Sequence, residues 1–302
     1  VAVYQSIDSK ISTKFVGYDR LEHISNILVI TDENEIVEQL NEGMNGTIVV
    51  EETPFYATMG GQVADTGIIT SETGVFVVQD TITFQGSKIG HVGYISEGYL
   101  KQGDKVELKV NEEQRSATCK NHSSTHLLHK ALRKVLGDSV TQAGSLVDKD
   151  KLRFDFNYFS AMTEDEINQV ETIVNDQIAK DLTVVTKEMS IEEAKKEGAM
   201  ALFDEKYGES VRVVSMGDFS IELCGGTHVS STGKISIFKI LSESGIAAGV
   251  RRIEALTSHS VINYYKNIEK QLNNVAKVAK SEPSMLVKKI EQMHEDIKTL
   301  SS

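Results

Sequence analysis

Three histidines and one cysteine, set in two pairs, are the residues best placed to do chemistry in this chain. In "NHSSTHLLH", His122 and His126 lie four apart, so on a helix they share one face and can bite one metal ion. In "CGGTH", Gly225 and Gly226 allow a tight turn at a strand end that brings Cys224 and His228 round to one point. Either pair alone is common. Together they offer three imidazoles and a thiolate, a set that suits zinc by softness and by number. The expectation is that His122, His126, Cys224 and His228 converge on one Zn2+. His129 faces differently and is expected at the surface or behind the ligands, while Cys119 has no partner pair and reads as a small helix residue. A metallopeptidase does not fit, because Ser123 and Ser124 follow the first histidine where a general-base Glu is needed. Four protein ligands would close a structural site, whereas catalysis needs an open position, a fifth ligand or a weak one; spacing leaves both open.

The elements that must carry these residues change character along the chain. Residues 1–110 hold short β-branched runs such as "NILVITD", "GTIVVEE", "GVFVVQD", "IGHVGYI" and "KVELKV", bounded by Gly, Asp and Asn, which suggests a small barrel or sandwich. From Asn111 the period becomes helical up to Gly137, so the first histidine pair sits on a helix. Residues 111–258 interleave helix and strand around what reads as one sheet, an α+β domain with a capped helix starting after Thr163 and a short helix within "VTKEMSIEEAKKEGAMALF". Residues 259–302 repeat apolar positions in heptad style (Tyr265, Ile268, Leu272, Val275, then Leu286, Ile290, Met293, Ile297), broken at Pro283, which predicts an antiparallel helical pair and a possible route to self-association.

Composition narrows the class. The 302 residues are 40% apolar and 25% charged, with no apolar run of membrane-spanning length, so no membrane partner is expected. Two cysteines imply no disulfide framework and fit a reducing cytoplasm. A net charge of −12 excludes a protein that coats nucleic acid by its overall field. Basic residues nevertheless gather at Arg115, Lys120, Lys130, Arg133 and Lys134, and again at Arg251 and Arg252; a phosphate contact and a solvated helix face both account for them.

"NHSSTHLLHKAL", "QAGSLV", "LRFDF", "ELCGGTHVSSTGKI" and "GVRRIEALT" resemble the editing domain of alanyl-tRNA synthetase, shared with free-standing alanyl-tRNA editing proteins. Upstream, "ETPFYATMGGQVADTG" resembles the glycine-rich segment of the small β-barrel preceding that domain, with departures at Thr58 and Met59. The related threonyl-tRNA synthetase editing domain has similar His and Cys pairs but lacks that barrel segment. The resemblance implies a β-barrel, an α+β editing domain with a zinc site and a helical coiled-coil tail. It also implies a fragment, with an ATP-using aminoacylation domain before Val1 and an oligomerisation domain after Ser302. The expected partner is tRNA(Ala) mischarged with Ser or Gly, and the expected activity is hydrolysis of that ester in the service of protein synthesis.

Such a second site has a physical reason. An alanine pocket separates glycine and serine from alanine by only roughly 10- to 200-fold, too little for translation. The family places Thr125 where it would hydrogen-bond the serine hydroxyl, and Gln142 in the pocket or behind it. Thr125, Gln142 and Cys224 are therefore the catalytic candidates. Arg251 is the expected phosphate or adenosine contact, with Arg252 solvated, and Gly60, Gly61, Gln62 and Asp65 are expected either to place tRNA or to form a barrel turn. Two alternatives stand beside this reading: a non-catalytic tRNA-binding module with structural zinc, and a free-standing trans-editing protein.

Overall fold

The computed structural model describes residues 2–200 and 208–302. Its residues divide into two compact units, one ending at Thr257 and the other Ser258–Ser302.

In the first unit, six antiparallel strands close into a barrel. Glu22–Thr31 pairs with both Asn45–Val50 and Lys105–Val110, and the ring is completed through Gly67–Thr70, Gly74–Phe84 and Lys88–Lys101. The alternating apolar residues read from the sequence fill its interior, with Ile30, Ile48, Phe55, Ile69, Phe76 and Ile95 fully buried. The run "TKFVGYD" forms strand only at Lys14–Phe15, while Gly67–Thr70, too short to show alternation, is a full barrel member.

Helix α1 (Glu112–Leu136) leaves the barrel directly. Asn111 caps it by accepting from the Gln114 amide, and Gly137, at φ +107°, ends it. Helix α2 (Glu164–Ala179) starts with the expected capping box between Thr163 and Glu166. Both helices pack on a four-stranded antiparallel sheet ordered Gln142–Val147, Leu152–Asn157, Val250–Thr257, Phe238–Ala247. Leu127, Leu128 and Leu132 of α1, Val170 and Val174 of α2, and Phe154, Phe156 and Ile253 of the sheet form its core.

The expectation of one sheet here is corrected. Val184–Ser190, Ser210–Met216 and Ser220–Leu223 form a separate three-stranded sheet with a small core of its own around Met189, Ala194 and Val213. The short helix expected in that region is α3 (Ile191–Lys196); the 201–203 end of the stretch lies outside the described residues.

The second unit contains α4 (His259–Val278) and α5 (Leu286–Ser301), separated at Pro283 as its missing amide and fixed φ demand. The heptad residues Tyr265, Ile268, Leu272, Ile290, Met293 and Ile297 all remain exposed, so the two stripes do not seal against each other along their length. No helix among the described residues is long and apolar enough to cross a membrane.

Candidate metal centre

The glycine-rich loop of the barrel reaches out and pairs with the four-stranded sheet. Val63 donates to the Val147 carbonyl and Val147 donates to the Gly61 carbonyl, so Gln62 lies parallel to Val147 as an added strand residue. Gly61 has φ +86°, and a Cβ there would meet the Ser145 carbonyl at 2.4 Å. Only glycine permits that approach. The consequence is that Gln62 is carried, fully buried, to the first histidine pair.

His122, His126, Cys224 and His228 meet as their spacing predicts: their ligating atoms all lie within 4.8 Å of one another. Cys224 Sγ is 3.4 Å from His122 Nε2 and 3.3 Å from His228 Nε2. His126 Nε2 is buried and has no hydrogen-bond partner.

Each imidazole is fixed from behind by an oxygen on its Nδ1. Gln62 Oε1 accepts from the Thr227 amide at 2.9 Å, which identifies that atom as the oxygen, and lies 2.8 Å from His122 Nδ1. His122 Nδ1 must therefore carry the proton. Glu222 binds His126 Nδ1 at 3.1 Å through one oxygen and His129 Nδ1 at 3.2 Å through the other. Ser123 Oγ, which accepts from the Val229 amide, lies 3.0 Å from His228 Nδ1. With the proton held on Nδ1 of His122 and His126, their Nε2 atoms face inward, and Ser123 Oγ fixes the His228 ring so that its Nε2 lies beside Cys224 Sγ. An orphaned buried Nε2, oriented imidazoles and a thiol form a donor set that fits a tetrahedral metal ion.

Burial and the neighbouring charges compete at each group of the cluster: burial lowers His126, but Glu222 and Cys224 outweigh it and raise the imidazole to about 10. Burial pushes the Cys224 thiol up, but the three surrounding imidazoles outweigh it and hold it well below the ordinary thiol range. Burial also raises the Glu222 carboxyl, yet His126 and His129 bring it down to about 2. Burial lowers His228 to about 3, against the Cys224 thiolate, which raises it.

The turn of "CGGTH" works by proximity. Neither Gly225 nor Gly226 adopts positive φ; a Cβ on Gly226 would instead meet His122 Cε1 at 2.1 Å. Arg212 and Tyr18 pin this turn. Tyr18 donates to the Gly225 carbonyl, Arg212 Nη1 donates to the Gly226 carbonyl at 2.6 Å, and the guanidinium lies 3.4 Å above the tyrosine ring.

The other expected site residues are dispersed. Thr125 is buried on α1 beside His126, its hydroxyl donating to the Asn121 carbonyl at 2.9 Å. Gln142 is half-buried on the edge strand, with its amide 3.4 Å from Ser145 Oγ. Gln62 and Asp65, expected either to place tRNA or to form a barrel turn, have buried side chains with internal partners; Asp65 binds Arg115 Nε at 3.0 Å and the Tyr56 amide at 2.8 Å. That pair also removes Arg115 from the basic patch. Arg251 is ion-paired to the buried Glu243, so a phosphate there would have to displace a carboxylate. Arg252 is not free in solvent but forms a two-point pair with Asp155. His129 is buried behind the ligands, and Cys119, also buried, donates to Thr227.

Gln62, Ser123 and Glu222 are the partners that spacing did not assign. Glu222 left a signal: two residues before Cys224 on a strand, it points to the same face as the ligand.

A barrel feeds a helix that carries half of the His/Cys cluster, and sequence comparison places both parts among synthetase domains. The family described as "tRNA synthetases class II (A)" matches residues 1–114, and "Threonyl and Alanyl tRNA synthetase second additional domain" matches residues 211–254. Among curated proteins, the chain is 57% identical over its whole length to Alanine--tRNA ligase 1 of Lachnoclostridium phytofermentans, covering 34% of that protein. It is 48% identical over 98% of its length to Alanine--tRNA ligase of Acetivibrio thermocellus, again covering 34%, and 50% identical over 95% to that of Nitrosomonas eutropha, covering 33%. The chain belongs to the alanyl-tRNA synthetase family and spans about a third of the length of these relatives.

Proposed function

We propose that this chain is a zinc-dependent aminoacyl-tRNA deacylase, hydrolysing the ester that links serine or glycine to tRNA(Ala). One observation carries the reading: four ligands from distant parts of the sequence converge, each imidazole fixed at Nδ1 by an oxygen behind it, within a chain related throughout its length to alanine–tRNA ligases.

His122, His126 and His228 would hold Zn2+ through Nε2 and Cys224 through its thiolate. A bound zinc supplies a Lewis-acid charge that favours development of negative charge on a carbonyl oxygen or loss of a proton from water. The protein's own part is orientation. Gln62 and Glu222 keep the protons of His122 and His126 on Nδ1, Ser123 fixes the His228 ring, and Arg212 with Tyr18 keeps the Cys224 turn in place. Thr125 spends its proton on the Asn121 carbonyl, which leaves its oxygen lone pairs to accept from a serine hydroxyl. Gln142, at the sheet edge, is assigned to the pocket wall.

A second reading is favoured by the ligand count. Four protein ligands can close a tetrahedron and make the zinc structural, with the module serving to bind tRNA. The two readings separate on Cys224→Ala. The deacylase reading expects about one zinc per chain in the native protein, and a variant that remains folded and loses hydrolysis of Ser-tRNA(Ala). A folded variant that still hydrolyses at the native rate would overturn the role given to the thiolate.

A further inference from the structure

Beside the ligand cluster, a cavity of about 350 Å³ opens to solvent along one face of α1. Glu112, Ser116, Cys119 and Lys120 form one wall; the segment carrying His228, Ser230 and Lys234 forms the other. The cavity therefore leads from solvent to a metal ligand, and its size is that of a small-molecule site, enough for about one nucleotide and too small for a duplex.

We infer that Lys120 and Lys234 hold the phosphodiester backbone of a single-stranded RNA 3′ end as it enters this cavity towards His228. In a chain of net charge −12, both lysines line this cavity and neither makes an ion pair among the described residues, although Lys234 is near enough to Asp181 to help lower its carboxyl. Arg251, the expected phosphate contact, is committed to Glu243, and the other arginines of the basic clusters near the site are paired too, Arg115 with Asp65 and Arg252 with Asp155. Lys120 lies two residues before His122 on α1, and Lys234 lies on the short 3₁₀ turn Thr232–Ile235. Both belong to segments that also carry ligands or directly follow one, so a phosphate gripped by the pair is held in fixed relation to the metal centre. Ser116 and Ser230 add exposed hydroxyls to the rim, suited to ribose or phosphate oxygens. Glu112 is the one carboxylate of the lining.

The inference deepens the deacylase reading by naming how its substrate's end is held, and rests on it for the strand's identity. The probe is a 5′-fluorescein single-stranded oligoribonucleotide with the uncharged acceptor-end sequence, titrated by anisotropy at several salt concentrations. Two phosphate contacts contribute a slope of about −1.4 in log K against log[salt]. Lys120→Gln/Lys234→Gln should weaken binding roughly tenfold at low salt and lose about that slope, whereas Lys288→Gln/Lys289→Gln on α5 should change neither. In steady-state deacylation the first pair should raise KM and leave kcat nearly unchanged. An unchanged slope and KM would overturn the inference while leaving deacylation standing. Lysine-dependent binding without any hydrolysis would keep the inference and sink the deacylase reading. Equal competition by duplex RNA would contradict entry of a single strand.

Discussion

Thr125 carries the selectivity argument at the scale of single residues. A hydroxyl buried beside a ligand and donating to its own helix can accept from serine and offers nothing to glycine. Thr125→Val keeps the shape and removes the acceptor. A buried pair of this kind contributes about 0.5–1.5 kcal/mol, more when a group is stranded, so serine hydrolysis should fall roughly 3- to 100-fold with glycine hydrolysis far less affected. Parallel losses for both substrates would mean that His126 had been disturbed, and equal unchanged rates would reduce Thr125 to a packing residue. Glu222 belongs to this scale too. Glu222→Ala removes the acceptor behind His126 and should lower zinc affinity about 10- to 100-fold, measured by competition with a chromogenic chelator. Unchanged affinity would show that the ring is oriented by packing alone.

At the scale of elements, the glycine-rich loop and α1 act together. Gly60 and Gly61 both have positive φ, but only Gly61 lies against backbone. Gly60→Ala should cost about 1–2 kcal/mol of stability from the left-handed conformation, leaving zinc affinity intact. Gly61→Ala must push the loop off Ser145, drawing Gln62 away from His122, and should lower zinc affinity as well. Thermal melts with chelator competition on both variants check this; identical affinities would detach the barrel loop from the metal site. What the sequence disclosed follows the same division. The ligand pairs were legible because each lies within five residues, one on α1 and one on the turn after a strand, and α1 was legible from Asn111 and Gly137. The contacts of Gln62, Ser123 and Glu222 with histidines were not legible, because those partners lie 60, 105 and 93 residues away and only the fold joins them. The two readings of Gln62 and Asp65, tRNA placement and barrel turn, stayed open for a related reason: polarity in a sequence does not reveal that a side chain is turned inward to satisfy a buried partner.

At the scale of the whole molecule, His91 couples the barrel to pH. It is fully buried, with Nδ1 donating to the Ile48 carbonyl and Nε2 accepting from Thr53, and burial lowers it to about 4. The folded barrel thus keeps this imidazole neutral, while the unfolded chain protonates it near 6.5. Its contribution is complete above about pH 6.5 and declines as pH falls towards 4, by about 3 kcal/mol in all. Relative to His91→Gln, the native protein should lose that much stability between pH 7 and 4 in urea unfolding; parallel curves would contradict a neutral buried histidine.

The central claim is tested most directly by measuring deacylation of Ser-tRNA(Ala), Gly-tRNA(Ala) and Ala-tRNA(Ala) by this chain, zinc-loaded, chelated and reloaded. The account predicts that serine and glycine are released and alanine is spared, that chelation abolishes release while circular dichroism shows the fold retained, and that zinc restores it. Release no faster than in buffer with the zinc-loaded protein, or release that persists unchanged after the metal is removed, would contradict it.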